Sequence, residues 1–177
     1  MRYFIGYEIG GEAAKWHQGL AKDISDKFHT WKIYEKYPPH ITLFRPFESE
    51  EIEPIKTLLE KWAEKIKGGN FVISDFGHFD DKVVFANVEA DSRVREAVGE
   101  LRDELKNFPG MPKEDFPVWQ PHVTLANQLP PEIIRKIWEF VIELPKPKFI
   151  LKFDNVCIFR HEKDGKWSSF ARIDIAN

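Results

Sequence analysis

Residues 2–9, RYFIGYEI, form a mostly apolar run rich in aromatic and branched side chains, which predicts a strand ended by Gly10 and Gly11. Ala13, Trp16, Leu20, Ile24 and Phe28 then recur at spacings of three and four, the period of a helix face. TWKIYEKYPP reads as a loop, and PPHITLFRPF, from Pro38, as a strand in which His40 and Thr42 alternate with apolar neighbours. A second helix carries Ile52, Ile55, Leu58, Leu59, Trp62 and Ile66 on one face and stops at Gly68 and Gly69. FVISDFGHF and KVVFANVEA are expected to form a hairpin joined around Asp80 and Asp81.

From Val83 the order of elements repeats. Asp91 is placed to cap a helix whose apolar set is Val94, Ala97, Val98, Leu101 and Leu105. A shift of 81 carries Ala13, Trp16, Leu20 and Ile24 onto Val94, Ala97, Leu101 and Leu105, and His122 follows His40 by 82. The proline-rich loop FPGMPKEDFPVWQP leads into the strand HVTLAN. The next helix opens on Pro130 and Pro131, tolerated there because a first-turn N–H has no intrahelical partner, and carries Ile133, Ile134, Ile137, Trp138 and Val141. The chain closes with KFILKFDNVCIFR and WSSFARIDIA, read as a hairpin turned at Asp164 and Gly165. Two copies of strand, helix, strand, helix, strand predict one α+β domain of two similar lobes, about residues 1–80 and 81–177.

Composition narrows the function classes. With 177 residues, 42% of them hydrophobic, the chain can bury a core, and a net charge of −3 excludes a basic coat for nucleic acid, so a nucleic-acid ligand needs a local cleft. Cys157 stands alone and can form no internal disulfide. The apolar run at the start is broken by Glu8 and is too short for a signal-peptide core or a membrane span, so the expectation is a cytoplasmic protein.

On an extended strand His40 and Thr42 share one face, as do His122 and Thr124. If a two-fold axis relates the lobes, both pairs converge on one cleft. Two facing imidazoles are what acid–base chemistry needs: a neutral one takes a proton from the attacking group and a protonated one supplies the leaving group. The threonine hydroxyls can donate to oxygens that gain charge, as those of a phosphate do. One such motif is weak evidence; two, each preceded by proline and followed by a helix at a matched offset, are specific. The competing reading is a pair of buried histidines satisfied by backbone.

PPHITLFRPF and QPHVTLAN resemble the paired histidine–apolar–threonine motifs of the 2H phosphoesterase superfamily, which includes the RNA 2′,3′-cyclic phosphodiesterases once called 2′-5′ RNA ligases. The resemblance covers nearly the whole chain. It implies a bilobal α+β fold with antiparallel-rich sheets around a central, water-filled cleft and helices outside. It also implies hydrolysis of a 2′,3′-cyclic or 2′-5′ phosphodiester without a metal or other cofactor, on an RNA end or a small cyclic nucleotide. His40 and His122 would then be the acid–base pair and Thr42 and Thr124 the phosphate ligands. No membrane and no obligate protein partner is implied. RNA-processing members often carry arginine three residues after the second threonine; this chain has Asn127 there and Arg45 at the matching place in the first motif. Either Arg45 supplies that charge, although strict alternation aims it away from the cleft, or the substrate differs. A non-catalytic nucleotide- or RNA-binding module of the same fold is the alternative.

Three further residues are candidates for substrate binding. Phe44 falls on the face of His40 and Thr42 by alternation, placed either to stack on a base or to pack the core. Arg45 is a candidate phosphate contact, and Trp119 either walls the nucleotide pocket or packs its own loop. Arg160 reads as a solvated strand-end charge. His17, His29, His78 and His161 lack the spacing of a zinc site, and no glycine-rich phosphate loop is present.

Overall fold

The computed structural model describes residues 1–112 and 118–176; residues 113–117 of the proline-rich loop lie outside the described residues. Among the described residues eight strands and five helices follow in the order β1 (Arg2–Glu8), α1 (Gly11–Phe28), α2 (Ile33–Lys36), β2 (His40–Glu48), α3 (Glu53–Lys65), β3 (Asn70–Phe79), β4 (Val83–Ala90), α4 (Ser92–Lys106), β5 (His122–Asn127), α5 (Pro131–Ile142), β6 (Phe149–Lys152), β7 (Asn155–His161) and β8 (Trp167–Asp174). They build two four-stranded sheets, ordered β2-β1-β7-β8 and β5-β4-β3-β6, with every neighbouring pair antiparallel. The α+β class and the hairpin of β3 with β4 are as the pattern predicts. Among the described residues no helix is long and apolar enough to cross a membrane.

Sheets and sequence repeat divide the chain differently. The strand that ends the first repeat, β3, pairs with β4 of the second, and β7 returns to pair with β1. The helices are exchanged too. Leu20 and Ile24 of α1 share a core with Phe76, Val84 and Leu125 of the second sheet, whereas Val94 and Leu101 of α4 pack with Tyr3, Ile5 and Ile41 of the first. A helix face and a sheet face must each be covered by something apolar, and each half supplies the cover for the other.

Two expectations are corrected. The run KFILKFDNVCIFR is not one hairpin arm but two strands in different sheets. Between them Phe153 is fully buried in the main core, its N–H bound to Gly69 O at 2.8 Å, while Asp154 O accepts from Ile175 N–H at 2.8 Å. Those bonds leave no ladder across the junction, so the chain changes sheet there. TWKIYEKYPP contains the short helix α2, closed by the bond from Tyr37 N–H to Ile33 O at 3.0 Å.

The strands bearing the two motifs share an irregularity. Thr42 lies opposite Gly6 and Phe44 opposite Ile5, so Leu43 is an extra residue; likewise Thr124 lies opposite Phe85 and Ala126 opposite Val84, with Leu125 extra. A bulge directly after each threonine reverses the alternation beyond it.

Candidate functional site

His40 opens β2 and His122 opens β5, and each strand lies at an edge of its sheet. The two edges approach with Cα atoms within 8 Å. A cleft of about 490 Å³ lies there, lined by residues that include His40, Thr42, Thr124, His17 and Asn127. His122 is not among the lining residues; its ring rests against Phe79 and Phe85, each centroid 5.0 Å away. It nonetheless acts electrostatically on His40, whose pKa a charge on His122 lowers.

Proline before each histidine has a local consequence. It holds the preceding residue extended, and the carbonyl two positions before the histidine then meets the ring. His40 Nδ1–H donates to Pro38 O at 2.8 Å, and His122 Nδ1–H to Gln120 O at 2.9 Å. A carbonyl only accepts, so both rings carry their proton on Nδ1 and present the Nε2 lone pair. His40 sits on an aromatic bed, with Phe4 at 4.7 Å, Phe159 at 5.5 Å and Tyr37 at 5.9 Å. Burial there pushes its pKa down to about 4, against the opposing pull of the Pro38 carbonyl. Burial lowers His122 as well.

The outward carbonyls of an edge strand have no ladder partner, and here ring N–H groups from elsewhere in the chain cap them. Trp119 Nε1–H donates to Thr42 O at 3.0 Å, and His17 Nε2–H to Thr124 O at 2.8 Å. Trp31 Nε1–H reaches Asn127 O at 3.0 Å. Thus a residue of the second half fixes the first threonine and one of the first half fixes the second.

The three substrate-binding candidates fare differently. Phe44 is in the core, 1% exposed and 6.2 Å from Phe47, because the bulge at Leu43 turns it opposite Ile5; its ring cannot meet a base. Trp119 packs on the main core beside Phe71 at 6.3 Å and does not line the cleft. Arg45 is half-buried and outside the lining as well. The cations that do line the cleft are Arg2, over the Trp167 ring at 5.9 Å, and Lys36, whose Nζ donates to Asp164 O at 3.2 Å. Arg160, read as a solvated charge, is paired with Glu162 at 2.9 Å.

His17 escaped the sequence reading although a signal existed: with Ala13, Leu20 and Ile24 it continues the buried face of α1, where a histidine needs a reason. No group of three or more His, Cys, Asp or Glu side chains placed to hold a metal ion occurs among the described residues.

A family model described as the 2′-5′ RNA ligase superfamily matches residues 11–165. No curated protein sequence matches the chain. Among solved structures, TT0787 of Thermus thermophilus is similar at TM-score 0.61 and 18% identity, and LigT of E. coli, solved with 3′-AMP, at 0.65 and 16%; both comparisons cover 99% of this chain and 98% of the other. Usb1 of Kluyveromyces marxianus is similar at 0.50 and 12%, over the same shares. At these identities the likeness is one of fold.

Proposed function

Because the chain belongs to the 2′-5′ RNA ligase superfamily, we propose that it is a phosphodiesterase that hydrolyses a 2′,3′-cyclic or 2′-5′ phosphodiester of an RNA end or small nucleotide. The observation that carries this reading is the pair of His-x-Thr motifs on adjoining edge strands, both imidazoles held in one tautomer with Nε2 unengaged by the backbone.

In the proposed reaction water attacks phosphorus as the bond to a ribose oxygen breaks. One histidine Nε2 takes a proton from the water; the other histidine, protonated, gives one to the departing ribose oxygen. Atoms and charge balance without any further reactant. Burial lowers the pKa of both histidines, which leaves each able to take a proton, and the negative charge of a bound phosphodiester raises the pKa of the imidazole that gives one. Thr42 and Thr124 donate to the phosphoryl oxygens, and Arg2 and Lys36 supply positive charge on the first-motif side. Binding of 3′-AMP by the E. coli relative supports a ligand of nucleotide size.

The test is hydrolysis of 2′,3′-cyclic nucleotides and of a short RNA with a cyclic end, in EDTA, by wild type, His40→Ala and His122→Ala. Turnover should survive EDTA and fall by roughly 10²- to 10⁴-fold in each variant. A fully active single variant refutes the scheme. Tight nucleotide binding with no turnover would favour the binding-module reading, which Asn127 in the place of arginine keeps open.

A further inference from the structure

The chain turns sharply where the strand of the second motif ends. Gln128, the residue after β5, has a φ of 54°, in the left-handed region. His29, which closes α1, and Asp80, which turns the β3–β4 hairpin, also lie there. Asn, Asp and His enter that region more readily than other side chains, and glycine would stand at residue 128 without strain. A glutamine is held there at a cost, and strain of this kind collects at binding sites. Gln128 is exposed and lines the cleft, and its amide has no hydrogen-bond partner among the described residues. An indole adjoins the same turn: the Trp31 Nε1–H bond to Asn127 O, 3.0 Å long, pins that ring to the peptide joining Asn127 to Gln128.

Other rings of the cleft lining are already occupied. Phe4 and Trp167 are 3% and 7% exposed, and Tyr37 is stacked with both His40 and Trp167, at interplanar angles of 27° and 21°. Trp31 is half-buried, and its one ring neighbour among the described residues, Tyr37, is tilted by 58° at 6.3 Å. We propose that Trp31 and Gln128 form a nucleobase site at the second-motif end of the cleft, the base stacked on the indole and its edge paired with the amide, and that this site selects adenine. It rests on the nucleotide reading above and deepens it by naming the base. A side-chain amide sets a donor beside an acceptor, so it pairs with an edge that offers the same two. Adenine presents such a pair on both edges that lie away from the ribose, N6–H with N1 and N6–H with N7, whereas guanine, cytosine and uracil do so on one. A purine also covers more of the indole than a pyrimidine does.

Calorimetry with the 3′-monophosphates of adenosine, guanosine, cytidine and uridine, and with inorganic phosphate as a ligand that carries no base, tests it. In wild type the adenosine nucleotide should bind roughly tenfold more tightly than the other three. In Gln128→Ala and Gln128→Gly that preference should shrink toward unity, and Gln128→Gly, which relieves the backbone, should keep or raise the urea midpoint. Trp31→Leu should weaken every nucleotide by roughly 10- to 100-fold while phosphate keeps its affinity within about twofold. Trp31→Phe also lacks the indole N–H but keeps a ring, and should recover most of the loss; a purely structural role through the bond to Asn127 would make the two Trp31 variants alike, and that result overturns the platform. Equal affinities for the four nucleotides in wild type, tighter binding of another base, or an adenine preference that survives Gln128→Ala overturn the base site alone. No binding of any nucleotide by wild type sinks the nucleotide reading and this site with it.

Discussion

Gly77→Ala probes how His122 is held, far from any contact with substrate. Gly77 pairs with Phe85 across β3 and β4, and the Phe85 ring folds over it to lie 5.0 Å from the His122 ring. A Cβ at residue 77 would stand 2.4 Å from Phe85 Cε2 and 2.7 Å from Cζ. To regain an ordinary carbon–carbon separation of about 3.5 Å the ring must move by about 1 Å. Phe85 is 2% exposed and also packed against the tilted ring of Phe79 at 4.5 Å, so it has little space to retreat except toward the histidine. Overpacking of this kind costs about 1–3 kcal/mol. A displacement of about 1 Å at a reacting group costs on the order of 10²-fold in rate. Gly77→Ala should therefore lose roughly 10- to 100-fold in kcat on a 2′,3′-cyclic nucleotide, with a smaller change in KM and a lower denaturation midpoint. Phe85→Leu, which shortens the offending ring, should suppress the defect when combined with it, so that the pair of changes is clearly non-additive. Wild-type kcat in Gly77→Ala, or strict additivity with Phe85→Leu, would refute the buttress.

Stability should depend on pH through the histidines. The unfolded chain protonates His40 near pH 6.5, but the native state resists until about 4, so the unfolded form binds more protons in between; stability is lost as pH falls through that window. The loss is at most about 3–4 kcal/mol for His40, and less because the residue is only partly buried. Urea midpoints at pH 7 and pH 5 should fall together with pH in wild type and differ less in His40→Phe; a wild-type midpoint independent of pH contradicts the burial argument. Trp119→Phe keeps the ring in the core but leaves Thr42 O without its donor, and should cost about 1–2 kcal/mol in a urea titration together with a rise in KM. An unchanged KM and midpoint would show that the Thr42 carbonyl needs no cap.

Much of the molecule was legible in the order of its residues. Helix faces at spacings of three and four, glycine stops and a repeat offset of 81–82 identify the elements, since these depend on periods the backbone imposes locally. His40, Thr42, His122 and Thr124 stood out for the same reason: their spacing within a motif is short, and the motif recurs. Alternation failed at Phe44, and with it the argument for where Arg45 points, because a bulge is a property of strand pairing and Leu43 carries no mark of it. KFILKFDNVCIFR looks like one strand, yet Phe153 and Asp154 bond to Gly69 and Ile175, and only those distant partners break it. The exchange of β3, β7 and the first helix of each repeat between sheets is likewise invisible to a pattern, which records that a face is apolar but not what covers it. So too with His17 and Asn127: each is an ordinary polar residue along the chain, and the packing of α1 against β5 is what buries a lone pair from each beside the same cleft.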